Sequence, residues 1–454
     1  HENVSLLNPP LNIDTNFAIS PDKNIGLRLT DSHGGHTNAN GTIDSDLYIV
    51  YLDGSKKLDK IKFPFQLNSQ KTIKDIKFTS DSKSIVFRSN QLSTTWGLYK
   101  INIDSTGFVC LSCPMLTGSE ITSTQDFQIT GVPEKVIFYA NIDNLSIKEL
   151  YSNNLEGTAL TKLNTPLTGT GVISSYSISS DGNYVVYSGN HTLSSPKHIY
   201  VVSTNGTGLL KLNSDGIAGN NGAFYPKFSP DNLRIVFTHD RTVIGQHELF
   251  IVDRNGANEI QISPNIKYGI LESDFSKDGT RYIFRSHHEV NGKFELYSAA
   301  TNGTGTVKLN VPLDNNTDVY LAGFSPLGDK VIYTSDDIVG DLWSMYSINV
   351  DGSNRVLLHA NMKQENSATQ KFDPQVLFLN NTTFVYIADA GYNNTFELYR
   401  INLDGSGGSQ IYTPTSGLLL AGLKVGNAGS QLSISKNELS LMLSIPSSGN
   451  FCAL

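Results

Sequence analysis

The stretch that decides the fold is "SINVDGSNRVLL" (residues 347–358), which has the pattern of a strand, a tight turn and a second strand. The Asp-Gly pair suits such a turn because Gly adopts positive φ freely and Asn or Asp tolerates it. Eight related stretches, at intervals of 47 to 53 residues, begin at Leu47, Leu98, Leu150, Ile199, Leu249, Leu296, Met345 and Leu398. A fixed period in that range with strand-type patterning indicates a repeat architecture.

A second recurrent unit precedes each of these hairpins. "PKFSPDNLRIVFTH" from Pro226 and "SDFSKDGTRYIFRS" from Ser273 show its form: a short strand, a Ser-Pro-Asp-Gly type of turn and an apolar strand. Two hairpins per repeat predict a four-stranded antiparallel sheet. About fifty residues per four-stranded sheet is typical of the blades of a β-propeller.

The two ends of the chain look like parts of one further repeat. "VSLLNPPLN" (4–12) resembles the last strand of a repeat, and "LSISKNELSLMLSI" (432–445) resembles a first hairpin. Pairing the N-terminal strand with the C-terminal strands would close a ring and cover two exposed sheet edges.

The predicted fold is therefore all-β, a single closed β-propeller over residues 1–454. It has a closing strand at 4–12, eight full repeats at 17–414 and a partial last blade at 415–454. Nine blades exceed the usual four to eight, so eight blades with a C-terminal appendage is the alternative.

The combined pattern "FSPDG…IxFxS…LYxxNxDGSxxxxLT" resembles the TolB-like, or WD40-like (PD40), β-propeller repeat family over essentially the whole chain. The resemblance implies the fold more strongly than a function. Its members include a periplasmic protein-binding propeller, the gating propellers of prolyl-oligopeptidase-like peptidases and a few lyases.

Composition and charge narrow the function classes. The chain has 454 residues, a formal net charge of -8 and only 17% charged residues, which disfavours binding to nucleic acid or to anionic membrane surfaces. The longest apolar candidate, "GLLLAGLKVG" (417–426), is far shorter than the roughly 20 residues that span a bilayer. The start at His1, without an initiator Met, fits a chain whose secretory signal has been removed, although an engineered start would look the same; we expect a protein that is secreted, periplasmic or on the cell surface.

The cysteines and the known catalytic motifs give little support for an enzyme. Cys110 and Cys113 lie in the strand-like "GFVCLSCP", which favours a local structural pair or inert thiols over a redox site. GxSxG, HExxH, Walker A, GxGxxG before a helix and EF-hand patterns are absent from the sequence. The sequence leaves open whether the protein is an enzyme but favours a binding role.

Histidines are concentrated between the second and third strands of the repeats, in loops that emerge on one face of a propeller. Imidazoles of neighbouring repeats could share a divalent metal, with nearby loop carboxylates such as Asp240 as further ligands. Solvated loop histidines are the alternative, and no other cofactor is predicted. The candidate metal ligands are His33, His36, His191, His239, His287 and His288.

Three functions fit these patterns. The first is a binding or scaffold module for a protein or glycan partner, because a rigid strand array with variable loops presents a preorganised surface. The second is a metal-dependent polysaccharide lyase or hydrolase, which requires His191, His239 and His287 or His288 to converge. The third is a structural subunit of a surface layer or filament that self-assembles through residues 414–454, a segment with few charges.

Overall fold

The structure of the protein is a computed structural model. It describes residues 5–6, 17–22, 24–31, 45–51, 58–65, 73–90, 95–114, 119, 121, 127–169, 171–192, 195–216, 222–241, 243–263, 270–286, 294–312, 318–339, 342–363, 376–388, 397–412, 432–434, 441–444 and 451–453.

The described regular structure consists of strands, which form nine four-stranded sheets. The first strand of the chain is β1 (Ser5–Leu6). Sheet 1 contains β2 (Phe17–Ile19), β3 (Ile25–Asp31), β4 (Ser45–Tyr51) and β5 (Leu58–Lys60), and sheet 2 contains β6 (Ile73–Phe78), β7 (Ser84–Ser89), β8 (Gly97–Asn102) and β9 (Val109–Cys110). Sheet 3 contains β10 (Gln128–Ile129), β11 (Lys135–Ala140), β12 (Glu149–Asn154) and β13 (Thr161–Lys162), and sheet 4 contains β14 (Val172–Ile178), β15 (Tyr184–Asn190), β16 (His198–Ser203) and β17 (Leu210–Lys211).

Sheets 5 to 8 repeat the same plan. Sheet 5 contains β18 (Ala223–Phe228), β19 (Arg234–His239), β20 (Glu248–Asp253) and β21 (Ile260–Gln261), and sheet 6 contains β22 (Ile270–Phe275), β23 (Arg281–Ser286), β24 (Glu295–Ala300) and β25 (Thr306–Lys308). Sheet 7 contains β26 (Val319–Phe324), β27 (Lys330–Val339), β28 (Leu342–Asn349) and β29 (Val356–Lys363), and sheet 8 contains β30 (Val376–Phe378), β31 (Thr383–Ala388), β32 (Glu397–Asn402) and β33 (Ser409–Tyr412). The last strands are β34 (Leu432–Ile434), β35 (Leu441–Ser444) and β36 (Phe451–Ala453).

Each of sheets 1 to 8 takes its strands in chain order, as the repeat predicts. The ninth sheet is composite and has the order β1-β36-β35-β34, with Ser5 opposite Ala453 and Leu6 opposite Cys452. The fold class is therefore all-β with four-stranded antiparallel blades of propeller type, and nine such sheets are present among the described residues. Closure of the ring stays a prediction.

The two predicted turns have the expected chemistry. In the stretch 347–358, β28 and β29 flank Gly352, which has a φ of +87°, and Gly352 N–H donates to the carbonyl of Asn349 at 2.9 Å. In the first hairpin of sheet 5, Asp231 accepts from the Leu233 N–H at 3.0 Å and the Ser229 hydroxyl accepts from the Arg234 N–H at 3.0 Å. The turn of sheet 5 is thus fixed by its own short polar side chains.

In sheets 1 to 8, the core described by the structure lies along the second and third strands. β19 and β20 are buried at nearly every position, which requires packing on both faces. An aromatic pair links these two strands at the same register in successive repeats, with offset rings at favourable separations. The pairs include Phe237 and Phe250 (5.8 Å), Phe284 and Tyr297 (5.5 Å), Tyr333 and Tyr346 (5.3 Å), and Tyr386 and Tyr399 (5.6 Å).

The chain divides into two compact units. The first comprises His1–Ser195, Tyr200–Leu210 and Gly426–Leu454, and the second comprises Pro196–Ile199 and Lys211–Val425. In the first unit, Cys110 and Cys113 form a disulfide, which agrees with the predicted local structural pair. Among the described residues, no helix has the length and apolar character needed to cross a bilayer.

Candidate functional site

Two of the six predicted metal ligands fall within the described residues. His191 belongs to the first unit, where its Nε2 lies 3.4 Å from the Thr165 hydroxyl and its ring meets that of Tyr200 edge-on. His239 belongs to the second unit and is fully buried. His33, His36, His287 and His288 lie outside the described residues. The described residues contain no group of three His, Cys, Asp or Glu side chains placed to hold a metal, and the metal site stays a prediction.

A buried polar cluster lies between β19 and β20 in sheet 5. Asp240, the residue after β19, has no exposed surface. Its carboxylate accepts from the Gly222 N–H at 3.0 Å and from the Gly245 N–H at 3.3 Å. The first bond ties Asp240 to the start of β18, and the second ties it to Gly245 within the loop that follows β19.

Gly222 occupies a position that no other residue could take without backbone movement. Its φ is +98°, and a Cβ added there would lie 2.3 Å from both the nitrogen and the carbonyl oxygen of Lys197. The close approach joins the entrance of β16 to that of β18, since the Ala223 N–H donates to the Lys197 carbonyl at 2.8 Å.

Arg241 extends the cluster away from Asp240. Its backbone N–H donates to the carboxylate of Glu248 at 3.0 Å, its guanidinium forms an ion pair with Glu259, and it lies over the Phe250 ring at 3.8 Å. The Ser214 hydroxyl also donates to Glu259, at 2.5 Å. Stacking on the Phe250 ring and the ion pair with Glu259 hold the guanidinium in one orientation.

His198 and His239 belong to the same electrostatic cluster. The pKa of His239 is lowered from 6.5 to about 4, mainly by burial and also by the nearby Arg241, while Asp240 opposes the shift. His239 is therefore neutral at pH 7. His198 Nε2 lies 3.6 Å from Asp215, a carboxylate whose pKa is lowered mainly by its hydrogen bond from Lys211.

The proximity of His198 to His239 was not anticipated from the sequence, although a signal for it exists. His198 stands at the first position of a third strand, where other repeats have a buried glutamate: Glu149, Glu248, Glu295 and Glu397. Those of sheets 3 and 6 pair with a lysine thirteen residues later, as Glu295 does with Lys308 at 2.9 Å. Lys211 follows His198 by the same interval, so the spacing within the repeat identifies His198 and Lys211 as the equivalents of this Glu–Lys pair.

The solvent side of the same loop exposes apolar side chains. Val243 and Ile244 are 45% and 53% exposed, and His247 meets the Phe224 ring edge-on at 6.2 Å. Lys197 Nζ lies 4.7 Å from the centre of that ring. Next to Phe224, Tyr225 is 69% exposed. We call Lys197, Phe224, Tyr225, Val243, Ile244 and His247 the sheet 5 platform.

The arrangement suits binding better than proton transfer. The fully buried His239 and Asp240 cannot contact a ligand directly, whereas the side chains that they support are exposed. The buried cluster thus fixes the backbone of loop 240–247, and the platform supplies the accessible surface.

Comparison with known proteins supports the fold alone. No protein family description matches the chain, and no curated protein matches it either. A crystal structure of the eukaryotic initiation factor is similar over 90% of this chain and 90% of that chain, with 10% identity and a TM-score of 0.55.

More distant similarities include TolB from Acinetobacter baumannii (16% identity, 68% of this chain, TM-score 0.31) and an oligogalacturonate lyase in complex with manganese (12% identity, 84% of this chain and 96% of that chain, TM-score 0.43). The chain matches only 58% of the length of that TolB.

Proposed function

We propose that the protein is a binding module that engages a protein or glycan partner through loops at the strand ends. The observation that carries this proposal is the anchored loop of sheet 5, in which a fully buried carboxylate holds the backbone while Val243 and Ile244 remain exposed. Preorganised apolar surface lowers the ordering cost of association. Rigid strand arrays with exposed loops commonly carry binding sites.

Photo-crosslinking of the full-length chain tests this proposal. A photoreactive amino acid would replace Ile244, and a matched control would carry it at Leu233, an exposed apolar residue in the first turn of the same sheet. We expect a partner that crosslinks at position 244 and not at 233, and that then binds the unmodified protein when purified. Binding of the protein to a glycan array tests for a glycan partner. If neither experiment yields a ligand, the binding function is wrong.

We also propose that the protein acts outside the cytoplasm. The Cys110–Cys113 disulfide supports this location, because disulfides persist mainly in oxidising compartments. Thiol titration of protein isolated from its source under alkylating conditions should find both of these cysteines blocked to alkylation. Two free thiols at these positions would contradict the proposed location.

A further inference from the structure

The backbone at Tyr225 is strained. Seven described non-glycine residues have positive φ, and Tyr225, with a φ of +53°, is the aromatic one among them. It lies at an irregularity of β18, where the pairing with β19 shifts register between Phe224 and Lys227. A bulky residue in the left-handed region is unfavourable, so such a conformation persists only where the surroundings impose it.

The strained residue, Tyr225, is exposed and not buried. Tyr225 leaves 69% of its surface in water, although its ring contacts Phe224 at 6.1 Å. Asp240 ties the strand that carries both rings to the loop that carries Val243 and Ile244. Single exposed apolar residues are ordinary, but several held together on anchored backbone indicate an interaction surface.

The platform also carries a positive charge. Lys197 places its ammonium group over the Phe224 ring at 4.7 Å and, within the described part of the chain, forms no ion pair. The neighbouring cations are already matched, since Arg241 pairs with Glu259 and Lys227 pairs with Asp274 at 2.6 Å. An anionic group beside an apolar one would complement this surface.

We propose that the sheet 5 platform binds an extended peptide segment of a partner protein in which an apolar side chain adjoins an Asp or Glu. The apolar side chain packs on Tyr225 and Ile244, and the carboxylate approaches Lys197. This inference rests on the proposed binding function and specifies the ligand class.

A peptide fits the platform better than a sugar does. Sugar rings stack on aromatic side chains but also need several polar groups to satisfy their hydroxyls. The loop tied to this strand exposes aliphatic Val243 and Ile244, and the Asp240 carboxylate is occupied by two backbone amides. Apolar surface with one cation matches an apolar residue next to a carboxylate.

The test is selection of a phage-displayed library of linear peptides on the full-length protein, followed by affinity measurement with a synthesised selected peptide. We expect the selected peptides to share an aromatic or aliphatic residue next to Asp or Glu. Tyr225→Asn and Ile244→Ser should each weaken binding about tenfold or more. Lys197→Gln should weaken binding and also reduce its salt dependence. Leu233→Ser is the matched control and should bind as the wild type does.

A second measurement separates lost function from lost folding. Asn tolerates the left-handed conformation, so Tyr225→Asn should keep or raise the melting temperature while it weakens binding. A structural role for Tyr225 would instead lower the melting temperature.

Three results would overturn the inference: no peptide enriched over a column without protein, selected peptides without an acidic residue, or unchanged binding in Tyr225→Asn and Ile244→Ser. If crosslinking at position 244 still captures a partner in those cases, the proposed binding function stands and only the ligand class is wrong.

Discussion

The side chain of Asp240 is hydrogen-bonded to backbone groups of two separate parts of the chain. It is fully buried, and its carboxylate accepts backbone hydrogen bonds from Gly222, at the entrance of β18, and from Gly245, within the loop. A buried carboxylate is costly unless such bonds satisfy it. Asp240 therefore holds Gly222 and Gly245 in place beside the end of β19.

Replacement of Asp240 by Ala should lower the free energy of unfolding by about 2 to 3 kcal/mol, because the buried Gly222 amide loses its acceptor. Asp240→Asn should cost less, since the side-chain oxygen can still accept one bond. Chemical denaturation of the three proteins gives the comparison. Equal stability of Asp240→Ala and the wild type would show that the carboxylate does not hold the loop.

His239 should make the protein less stable as pH falls. Its pKa is about 4 in the folded chain, against an ordinary value of 6.5, mainly because burial disfavours the charged form. Below pH 6.5 the unfolded chain takes up this proton while the folded chain does not, so stability decreases between about pH 6.5 and 4 by on the order of 3 kcal/mol.

Denaturation at a series of pH values, with wild type and His239→Gln, measures this contribution. The variant should lose less stability on acidification over that window. His359→Gln should remove a second, separate part of the stability loss on acidification, because burial also lowers the pKa of His359. Parallel pH profiles for wild type and His239→Gln would contradict the assignment.

At the scale of the elements, the third strand of a repeat is capped by a side chain fourteen residues further along. The Leu296 N–H donates to Asn310 Oδ1 at 2.8 Å, and the Leu150 N–H donates to Asn164 Oδ1 at 2.8 Å. Sheet 5 uses Ser263 in the same way. This bond fixes the register of the fourth strand, which is short and makes few ladder bonds of its own.

Asn310→Ala should lower the free energy of unfolding by about 2 kcal/mol, because it leaves the buried Leu296 amide without its acceptor. Asn302→Ala is the control: Asn302 lies on an exposed turn of the same sheet, where a change of about 0.5 kcal/mol or less is expected. Urea denaturation of both variants measures the difference. Similar losses in the two variants would mean that the cap contributes nothing beyond a surface turn.

At the scale of the whole molecule, the N- and C-terminal strands share one sheet. β1 pairs antiparallel with β36, which itself pairs with β35. Without β1, the outer edge of β36 would present unpaired backbone groups, and such edges promote association.

We expect a protein in which Gly and Ser replace residues 1–12 to melt at a lower temperature, by on the order of a few degrees, and to form soluble oligomers. Thermal unfolding and light scattering after size-exclusion chromatography measure the two effects. An unchanged monomer with an unchanged melting temperature would show that β1 does not protect the composite sheet.

The candidate site was only partly predictable from the sequence. The loops between second and third strands were identified, and His239 and Asp240 were named as candidates there. Their burial could not be foreseen, because it depends on how Gly222 approaches from another segment. Tyr225 gave no sequence signal, since a tyrosine in a strand pattern predicts ordinary pairing and not a left-handed backbone.

The sequence by itself determined the all-β class, the four-stranded sheets, their turns and the pairing of the two chain ends. The first three features depend on local periodicity and on turn residues that recur in every repeat of about fifty residues, and the last depends on the resemblance of each chain end to part of one repeat. Only the tertiary structure decided which polar side chains are buried and which apolar ones are exposed. That choice depends on contacts between segments far apart in sequence, and a repeat pattern specifies the position of a residue in its blade but not its neighbours.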